Sequence, residues 1–240
     1  MVPLIVVQDQ HQVCPYLEKT TARMPLQLPA GEVLPETTDQ ILEMGYRRSG
    51  EFLYRTQCPT CDQCKPTRVD INRFRCTRSL RRVIQRGRRD LRIELGQPQF
   101  NQRRVDLFNQ HRRDRDLAQS DAPVDVEAYR SFLVNSCCLS AELAIYRGDN
   151  LIAVSIFDVG QTSTSAVYTY FDPAEGRYSL GTLAVLEQIQ WGRQTGRQWT
   201  YLGMYVAANS HLNYKARFAP QQRLEKGQWI DYDDAPLGPA

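Results

Sequence analysis

The sequence predicts an α+β fold in which a larger part, a mixed β-sheet with flanking helices, follows a smaller cysteine-containing N-terminal part. Two observations carry this prediction. Strand-like alternating segments interchange with helical patterns from about residue 76 onward, whereas four of the seven cysteines lie within the first 75 residues. We therefore place one domain at residues 1–75 and a second at residues 76–240.

The N-terminal part begins with an apolar stretch that lacks the basic region of a signal peptide, so we interpret it as a first strand or an ordered arm. Residues 12–17 show no clear period and are predicted to form a loop or turn, and Pro25, Pro29 and Pro35 mark irregular chain beyond them. A short, threonine-capped helix is predicted over residues 37–44, and Gly45 ends it. Strand-like segments follow at residues 52–55 and 69–71.

The C-terminal part is a long series of elements in a characteristic order. Strands are predicted at residues 91–95, 139–146, 151–159, 165–171, 199–204 and 223–232. Helices are predicted at residues 101–115, 123–138, 180–195 and 210–218. The order is strand, two helices, three strands, helix, strand, helix, strand, which is that of the N-acetyltransferase-like (GNAT-type) fold.

Acetyltransferases of that fold mark the start of their central helix with a glycine-rich motif whose amides hold the pyrophosphate of coenzyme A. Here the corresponding stretch reads Arg177-Tyr-Ser-Leu-Gly181-Thr, with the glycine one place late and the second glycine absent. Coenzyme A is therefore weakly indicated, and a different activated acyl donor is the better interpretation.

Composition narrows the class of protein. No run of 18 apolar residues occurs, so the sequence predicts no membrane partner. The seven cysteines are an odd number, and their spacing favours a reduced, cytoplasmic protein over a disulfide framework.

A strongly basic segment marks the start of the second part. Residues 73–89 contain eight arginines and no acidic residue. Four of these arginines share one face of a predicted helix, namely Arg78, Arg82, Arg86 and Arg89. The alternative, a solvated surface helix, usually mixes in acidic residues. The segment therefore predicts binding of nucleic acid through phosphates, without base reading.

Cys58, Cys61 and Cys64 are spaced three residues apart, which brings their thiolates together around a turn. A tetrahedral metal needs four ligands, and Cys14 is the candidate fourth ligand, with His11 as an alternative. The cluster would hold zinc or an iron–sulfur centre. In the alternative interpretation the thiols only stabilise the turn by packing.

Several motifs resemble those of the aminoacyl-tRNA–protein transferase family. They are Tyr170-Phe-Asp-Pro173, Tyr178-Ser-Leu-Gly181, Tyr201-Leu-Gly-Met-Tyr205 and Asn213-Tyr-Lys-Ala216 in the second half, and Gly45-Tyr-Arg-Arg-Ser-Gly50 with the cysteine-rich turn in the first. The resemblance extends over most of the chain, roughly from residue 14 to residue 224. It implies the N-acetyltransferase-like fold for the C-terminal half.

The resemblance also implies the chemistry, which is transfer of an aminoacyl group from charged tRNA to a protein N-terminus. This reaction is ester aminolysis, and an α-amine with a pKa near 8 needs no strong base, so no cofactor is required for the chemistry. The candidate catalytic residues are Asp172, which would orient the amine or accept its proton, and Tyr178 and Ser179, which would lie near the ester.

Candidate substrate-binding residues come from both halves. Arg47, Arg48 and Arg55 would face an acidic N-terminal residue of the acceptor, although ion pairs within the N-terminal part are an equally good interpretation. Four further residues would line a substrate cleft at the ends of the strands, namely Tyr170, Tyr205, Tyr214 and Lys215. Of these, Tyr214 and Lys215 would contact the terminal adenosine or a phosphate.

The compact length and the Cys14-Pro-Tyr-Leu17 motif resemble the bacterial leucyltransferases that act on N-terminal Asp or Glu. Eukaryotic arginyltransferases are longer and have C-x-x-C here, so Leu17 weakens any carry-over of their metal site. The alternatives are arginyl transfer to the same acceptors, a coenzyme-A-dependent N-acetyltransferase, and a non-enzymatic RNA-binding or metal-sensing module. The expected partners are aminoacyl-tRNA and proteins that begin with Asp or Glu, which the reaction marks for degradation.

Overall fold

The computed structural model describes residues 2–117 and 122–233. Its helices are α1 (Pro35–Glu43), α2 (Arg78–Asp90), α3 (Gln102–Asp114), α4 (Val126–Tyr129), α5 (Leu180–Gln194) and α6 (Ser210–Asn213). Its strands are β1 (Leu4–Gln8), β2 (His11–Val13), β3 (Thr21–Arg23), β4 (Leu26–Pro29), β5 (Arg47–Ser49), β6 (Phe52–Tyr54), β7 (Lys65–Asp70), β8 (Arg92–Gly96), β9 (Ser140–Arg147), β10 (Asn150–Val159), β11 (Ser163–Phe171), β12 (Trp199–Tyr205), β13 (Gln221–Glu225) and β14 (Gln228–Tyr232). None of the helices in these two ranges is long and apolar enough to cross a membrane.

The larger sheet has eight strands in the order β14-β13-β7-β12-β11-β10-β9-β8. Neighbouring strands run antiparallel except β11 and β12, which run parallel. This parallel step requires a crossover connection, and α5 provides it. The mixed sheet with its flanking helices confirms the predicted α+β, N-acetyltransferase-like fold.

The two parallel strands stay together only at their beginnings. Residues 163–165 of β11 pair with residues 199–201 of β12. Beyond that point the strands separate, while β10 and β7 remain paired with their outer edges. The inner edges, at residues 166–171 and 202–205, therefore carry backbone N–H and C=O groups that no neighbouring strand satisfies.

Helices cover both faces of the larger sheet. Adjacent residues of β11 point to opposite faces, so Tyr170 joins the core under α3 and α4 while Phe171 packs toward α5. Helix α2 lies against α5, where a β-carbon added to Gly87 would lie 2.7 Å from Leu183 Cδ2. The close approach at Gly87 holds the arginine-rich helix beside the central helix.

The smaller sheet has the order β1-β4-β6-β5 and lies within the N-terminal part. The next strand, β7, leaves that sheet and pairs with β12 and β13 in the larger one. The boundary that the sequence predicts at residue 75 therefore does not coincide with a break between the sheets, because residues 65–70 are a central strand of the larger sheet.

Three stretches differ from the predicted elements. The loop and irregular chain predicted from residue 12 onward include residues of β2, β3 and β4, and the helix predicted over residues 123–138 ends at Val134. The single strand predicted over residues 223–232 is a hairpin of β13 and β14. Lys226 and Gly227 turn the chain there with φ angles of 48° and 82°, the left-handed conformation that a two-residue hairpin turn requires.

Candidate active site

A cleft of about 1210 Å³ occupies the gap between β11 and β12. Its walls come from β5, from the separated ends of β11 and β12, from the start of α5 and from the segment around α6. Five residues singled out from the sequence line it, namely Arg47, Arg48, Ser179, Tyr214 and Lys215. The gap in the sheet thus brings residues of both halves of the chain to one site.

Arg47 reaches the cleft from β5 and is only 5% exposed. Its Nη1 donates to Ser165 Oγ at 3.2 Å, whereas its Nη2 has no acceptor among the described residues. Burial lowers the pKa of the guanidinium. A buried guanidinium nitrogen without an acceptor leaves a hydrogen bond to be made, and an anion in the cleft can accept it.

Lys215 approaches the same point from the 3₁₀ turn Tyr214–Arg217 and is 7% exposed. Its Nζ donates to the carbonyl oxygen of Met204 at 2.6 Å. Burial, and then the charge of Arg47, lower the pKa of Lys215 to about 7. A β-carbon added to Gly203 would lie 3.4 Å from Lys215 Nζ and 3.5 Å from Arg47 Nη2, so this glycine keeps the space beside both cations open.

Positive charge dominates the lining of the cleft. Arg48 is neutralised, because its Nε donates to Asp158 Oδ1 at 2.8 Å in a fully buried ion pair. Arg47 and Lys215 have no ion pair with a carboxylate in the described part of the chain. Among the described lining residues there is one carboxylate, that of Asp116. The potential in the cleft therefore favours a carboxylate or a phosphate.

The start of α5 forms another part of the wall. Ser179, which has φ and ψ of 51°, turns the chain into the helix, and its carbonyl oxygen accepts from the Leu183 N–H. The first amides of a helix have no acceptor within it, so the N–H groups that follow Ser179 are free to bind an oxyanion. Ser179 is exposed and lines the cleft, as do Gly181 and Thr182.

Asp172 lies just outside the lining of the cleft, between two residues that contribute to it. Its Oδ1 accepts from the Ala174 N–H and from Gln110 Nε2, both at 3.0 Å. The first of these bonds caps the 3₁₀ turn Pro173–Tyr178. The carboxylate thus holds the turn that leads into α5, and its predicted part in proton transfer stays a prediction.

Tyr170 and Tyr178 are core residues that do not line the cleft. Tyr170 is fully buried on the face of α3 and α4, where its hydroxyl lies 2.5 Å from that of Tyr129. Tyr178 is 3% exposed and packs beside α5, with the guanidinium of Arg177 over its ring. Tyr170 lies on the face of β11 opposite to Thr169 and Phe171, which line the cleft, although Tyr168, which packs in the same core cluster as Tyr170, also lines it.

Arg55 and Tyr205 also lie away from the cleft lining. Arg55 is exposed and its guanidinium lies 5.1 Å from the ring centroid of Tyr46. Tyr205 lies under the guanidinium of Arg223, 3.5 Å from its ring centroid. The rings of Tyr46 and Tyr205 therefore each make a cation–π contact with an arginine of this chain.

Sequence reasoning did not single out Ser165 and His111, which also line the cleft. His111 is buried, its Nδ1 lies 3.0 Å from the Phe171 carbonyl oxygen, and burial lowers its pKa to about 4. Both residues reach the cleft through contacts between distant segments, and neither lies in a motif. Position on a predicted strand was the one available signal for Ser165.

Two family models match the chain. Residues 12–82 match the one described as Arginine-tRNA-protein transferase, N terminus, and residues 103–225 match the C terminus of the same description. The chain belongs to the aminoacyl-tRNA–protein transferase family. This confirms the family and the enzyme class, an aminoacyltransferase, that the sequence predicted.

Relatives of this transferase carry a more specific name. The aspartate/glutamate leucyltransferase of Acinetobacter baumannii (strain ATCC 17978) is 34% identical over 216 residues, which are 90% of this chain and 80% of the relative. The protein of the same name from Aeromonas hydrophila is 35% identical over 201 residues, 82% of each chain. Among solved structures, FemX superposes with a TM-score of 0.52 at 7% identity, over 94% of this chain and 88% of FemX, which shows a shared fold.

Helix α2 of the transferase presents its arginines to solvent. Leu80 and Gly87 are buried against the core, whereas the four predicted tRNA-binding residues, Arg78, Arg82, Arg86 and Arg89, are exposed. Arg86 is held by a hydrogen bond to the Arg177 carbonyl, in the turn before α5, and Arg89 pairs with Asp90. The arginine face of α2 therefore lies next to the turn before α5, and the start of α5 lines the cleft.

The transferase brings four cysteines near one another. Burial, and the proximity of Cys14, Cys58 and Cys61, raise the pKa of the Cys64 thiol to about 12. Over residues 2–117 and 122–233, however, no three His, Cys, Asp or Glu side chains are arranged to hold a metal ion. The described side chains therefore do not have the arrangement of a zinc site, and a metal at the four cysteines stays a prediction.

Proposed function

We propose that this transferase moves leucine from leucyl-tRNA onto the N-terminal α-amine of proteins that begin with Asp or Glu, and that it does so in the cytoplasm. One observation carries the proposal, which is the buried pair of cations in the cleft, Arg47 and Lys215. The relatives named aspartate/glutamate leucyltransferase support the same acceptors and the same donor.

The cation pair supports an acidic acceptor. Gly203 leaves space beside Arg47 Nη2 and Lys215 Nζ, and a carboxylate there would accept hydrogen bonds from both. Such charge-assisted bonds in a buried site are stronger than those to a neutral amide. An N-terminal Asn or Gln would therefore bind more weakly than Asp or Glu.

The lining of the cleft supports leucine over arginine as the transferred residue. Apolar side chains line it from three elements, among them Val167, Val185 and Leu202. Asp116 is the one carboxylate among the described lining residues, and an arginyl side chain would face several cations. Like charges repel in a partly buried site, whereas an isobutyl group gains from burial against aliphatic side chains.

The arginine face of α2 supports tRNA as the carrier. Arg86 ties α2 to the turn before α5, and the start of α5 lines the cleft. A tRNA held by its phosphates along α2 would thus bring its 3′ end toward the cleft mouth. Tyr214, which lines the cleft, would contact the terminal adenosine.

The reaction itself needs little from the protein beyond position and charge. The neutral α-amine of the acceptor attacks the ester carbonyl, so that a carbon–nitrogen bond forms and the bond to the ribose oxygen breaks. That oxygen leaves with the proton that the amine gives up. The amides after Ser179 would stabilise the oxyanion, and Asp172 is the remaining candidate for proton transfer.

A transfer assay tests the proposal. Purified protein is given leucyl-tRNA or arginyl-tRNA with peptides that begin with Asp, Glu, Asn or Lys. We expect leucine to appear on the Asp and Glu peptides at least about tenfold faster than on the Asn peptide, the difference set by a charge-assisted hydrogen bond. Transfer of arginine in place of leucine, or equal rates for Asp and Asn, would contradict it.

A further inference from the structure

A chain of buried polar side chains crosses the core and ends at the cleft. Gln188 of α5 donates through Nε2 to Ser155 Oγ of β10 at 2.8 Å, and Ser155 Oγ lies 2.7 Å from Thr169 Oγ1 of β11. Gln188 and Ser155 are 0% exposed, whereas Thr169 is half-buried and lines the cleft. The chain therefore has an inner end in the core and an outer end at the candidate active site.

The surroundings make this chain unusual for a core. Val154 and Ile156, on either side of Ser155, are fully buried, and Gln188 Oε1 has no hydrogen-bond donor in the described part of the protein. An amide buried with one polar atom unsatisfied destabilises a fold relative to an aliphatic residue of similar size. Packing alone therefore does not account for a glutamine at this position.

The hydrogen bonds allow donation from the core toward the cleft, since either hydroxyl of the Ser155–Thr169 pair can be the donor. Ser155 Oγ accepts from Gln188, so its own proton is free to be donated to Thr169 Oγ1. In that arrangement the proton of Thr169 has no acceptor among the described residues, which leaves it for a ligand in the cleft that Thr169 lines. Hydrogen bonds in series polarise one another, which makes the last hydroxyl a better donor.

We propose that the Thr169 hydroxyl is a further catalytic group, which donates to the ester carbonyl oxygen as negative charge develops on it. Gln188 and Ser155 are the positioning residues that orient this hydroxyl. The inference rests on the proposed function and adds a side-chain donor to the amides at the start of α5. A fixed donor of this kind stabilises the transition state more than the bound ester.

Single-turnover transfer at saturating leucyl-tRNA tests the proposal, with Thr169→Val and Thr169→Ser as the main variants. We expect Thr169→Val to slow the transfer by about hundred- to thousandfold, the range for loss of one oxyanion donor. Thr169→Ser keeps the hydroxyl and is expected to stay within about threefold of the wild type. Gln188→Met and Ser155→Ala should slow transfer by less than Thr169→Val.

Thr164→Val is the matched control. Thr164 lies on the same strand and its hydroxyl donates to Thr200 Oγ1 at 3.1 Å, but the pair is fully buried and does not line the cleft. Its loss should lower the melting temperature without changing the rate. A Thr169→Val rate within twofold of the wild type, or an equally slow Thr169→Ser, would overturn the inference. An inactive wild type would instead count against the proposed function.

Discussion

At the scale of single residues, two cationic groups share one buried space in the cleft, and Lys215, with a pKa of about 7, is charged only part of the time near neutral pH. Arg47 and Lys215 repel each other, and burial adds to this by disfavouring both charged forms. The arrangement therefore destabilises the free protein, and an anion that binds beside Gly203 relieves it. Binding of an acidic acceptor would therefore also remove the repulsion between Arg47 and Lys215.

Replacing Arg47 by Met should weaken acidic acceptors specifically. We expect KM for peptides that begin with Asp or Glu to rise by about ten- to hundredfold, the usual effect of losing a charge-assisted hydrogen bond. The melting temperature should not fall, because the substitution removes a buried charge that has no carboxylate partner in the described structure. Steady-state kinetics with both peptides measure the effect.

Arg55→Met is the control for this experiment, since Arg55 is an exposed arginine of the same part of the chain and does not line the cleft. Its kinetics should match the wild type. An Arg47→Met enzyme with unchanged KM for Asp and Glu peptides would remove Arg47 from acceptor binding.

Asp172 is tested by two substitutions that separate its roles. A part in proton transfer predicts that Asp172→Asn slows single-turnover transfer by about ten- to thousandfold. The bonds to the Ala174 N–H and to Gln110 predict instead that Asn caps the turn nearly as well, while Asp172→Ala lowers stability by about 1 kcal/mol. On these contacts we expect the Asn variant to retain activity, and a large rate loss at an unchanged melting temperature would show the catalytic role.

The residues of the site could be predicted from sequence where they lie in family motifs. Arg47, Ser179 and Lys215 were singled out in this way, and all three line the cleft. Thr169 and His111 were not, because their relation to the cleft depends on which strands and helices meet in space. Tyr170 and Tyr178 show the converse, since an aromatic residue within a motif can belong to the core.

At the scale of elements, α2 makes a prediction about salt. Arg78 and Arg82 are exposed and form no ion pair in the described structure, so both are free to contact phosphates. Replacing both by Ala should reduce the slope of log K against log salt by about 0.7–0.9 for each lost contact, and weaken all tRNAs alike. Binding titrations across a salt series measure the slope.

Arg92→Ala is a matched control for this double variant, since Arg92 is an exposed arginine that pairs with Glu94. Its slope should equal that of the wild type. If the slope of the double variant were also unchanged, α2 would not be the surface that binds tRNA.

The cysteine turn is the element whose ligand is still a prediction. If Cys14, Cys58, Cys61 and Cys64 hold a metal, loss of any one should open the site and destabilise the N-terminal part similarly. Elemental analysis of protein purified without oxygen should then find zinc or iron at a near-stoichiometric level, and Cys64→Ser should lose it. If the protein is metal-free, and Cys64→Ser changes its stability no more than Cys76→Ser does, only a packing role is left for the four cysteines.

Most elements of the larger sheet could be predicted because their hydrophobic patterns are long and regular. The hairpin of β13 and β14 was predicted as one strand, since its two strands are joined by a turn of only two residues, Lys226 and Gly227. The short strands β2, β3 and β4 have three or four residues each, too few for a period to stand out.

At the scale of the whole molecule, β7 makes the two sheets depend on each other. It follows the N-terminal sheet directly in sequence and forms a central strand of the larger sheet. We therefore expect a single unfolding transition in urea. Tryptophan fluorescence, which reports on Trp191, Trp199 and Trp229, should coincide with thiol labelling of Cys14 and Cys64. Two separate midpoints would show that the parts at residues 1–75 and 76–240 unfold independently.

The order of elements predicted the fold class of the whole molecule, but not the place of β7. The sequence predicts a strand only over residues 69–71, at the end of β7, and the partners of β7 are more than 120 residues away along the chain. Pairings between segments that are distant along the chain produce no periodic pattern in the sequence. The boundary predicted at residue 75 rests on the cysteine content and on the interchange of strands and helices after it, and neither shows where β7 pairs.

The separation of β11 and β12 has a mechanical consequence. Hydrogen-bonded ladders make a sheet stiff, yet across this line only three residue pairs join four strands on one side to four on the other. The sheet is therefore compliant along this line, where the proposed substrates would meet, because few hydrogen bonds resist bending there. Acceptor and aminoacyl ester, bound in the cleft along this line, would fix the two half-sheets relative to each other. Release of the product would allow the half-sheets to move again.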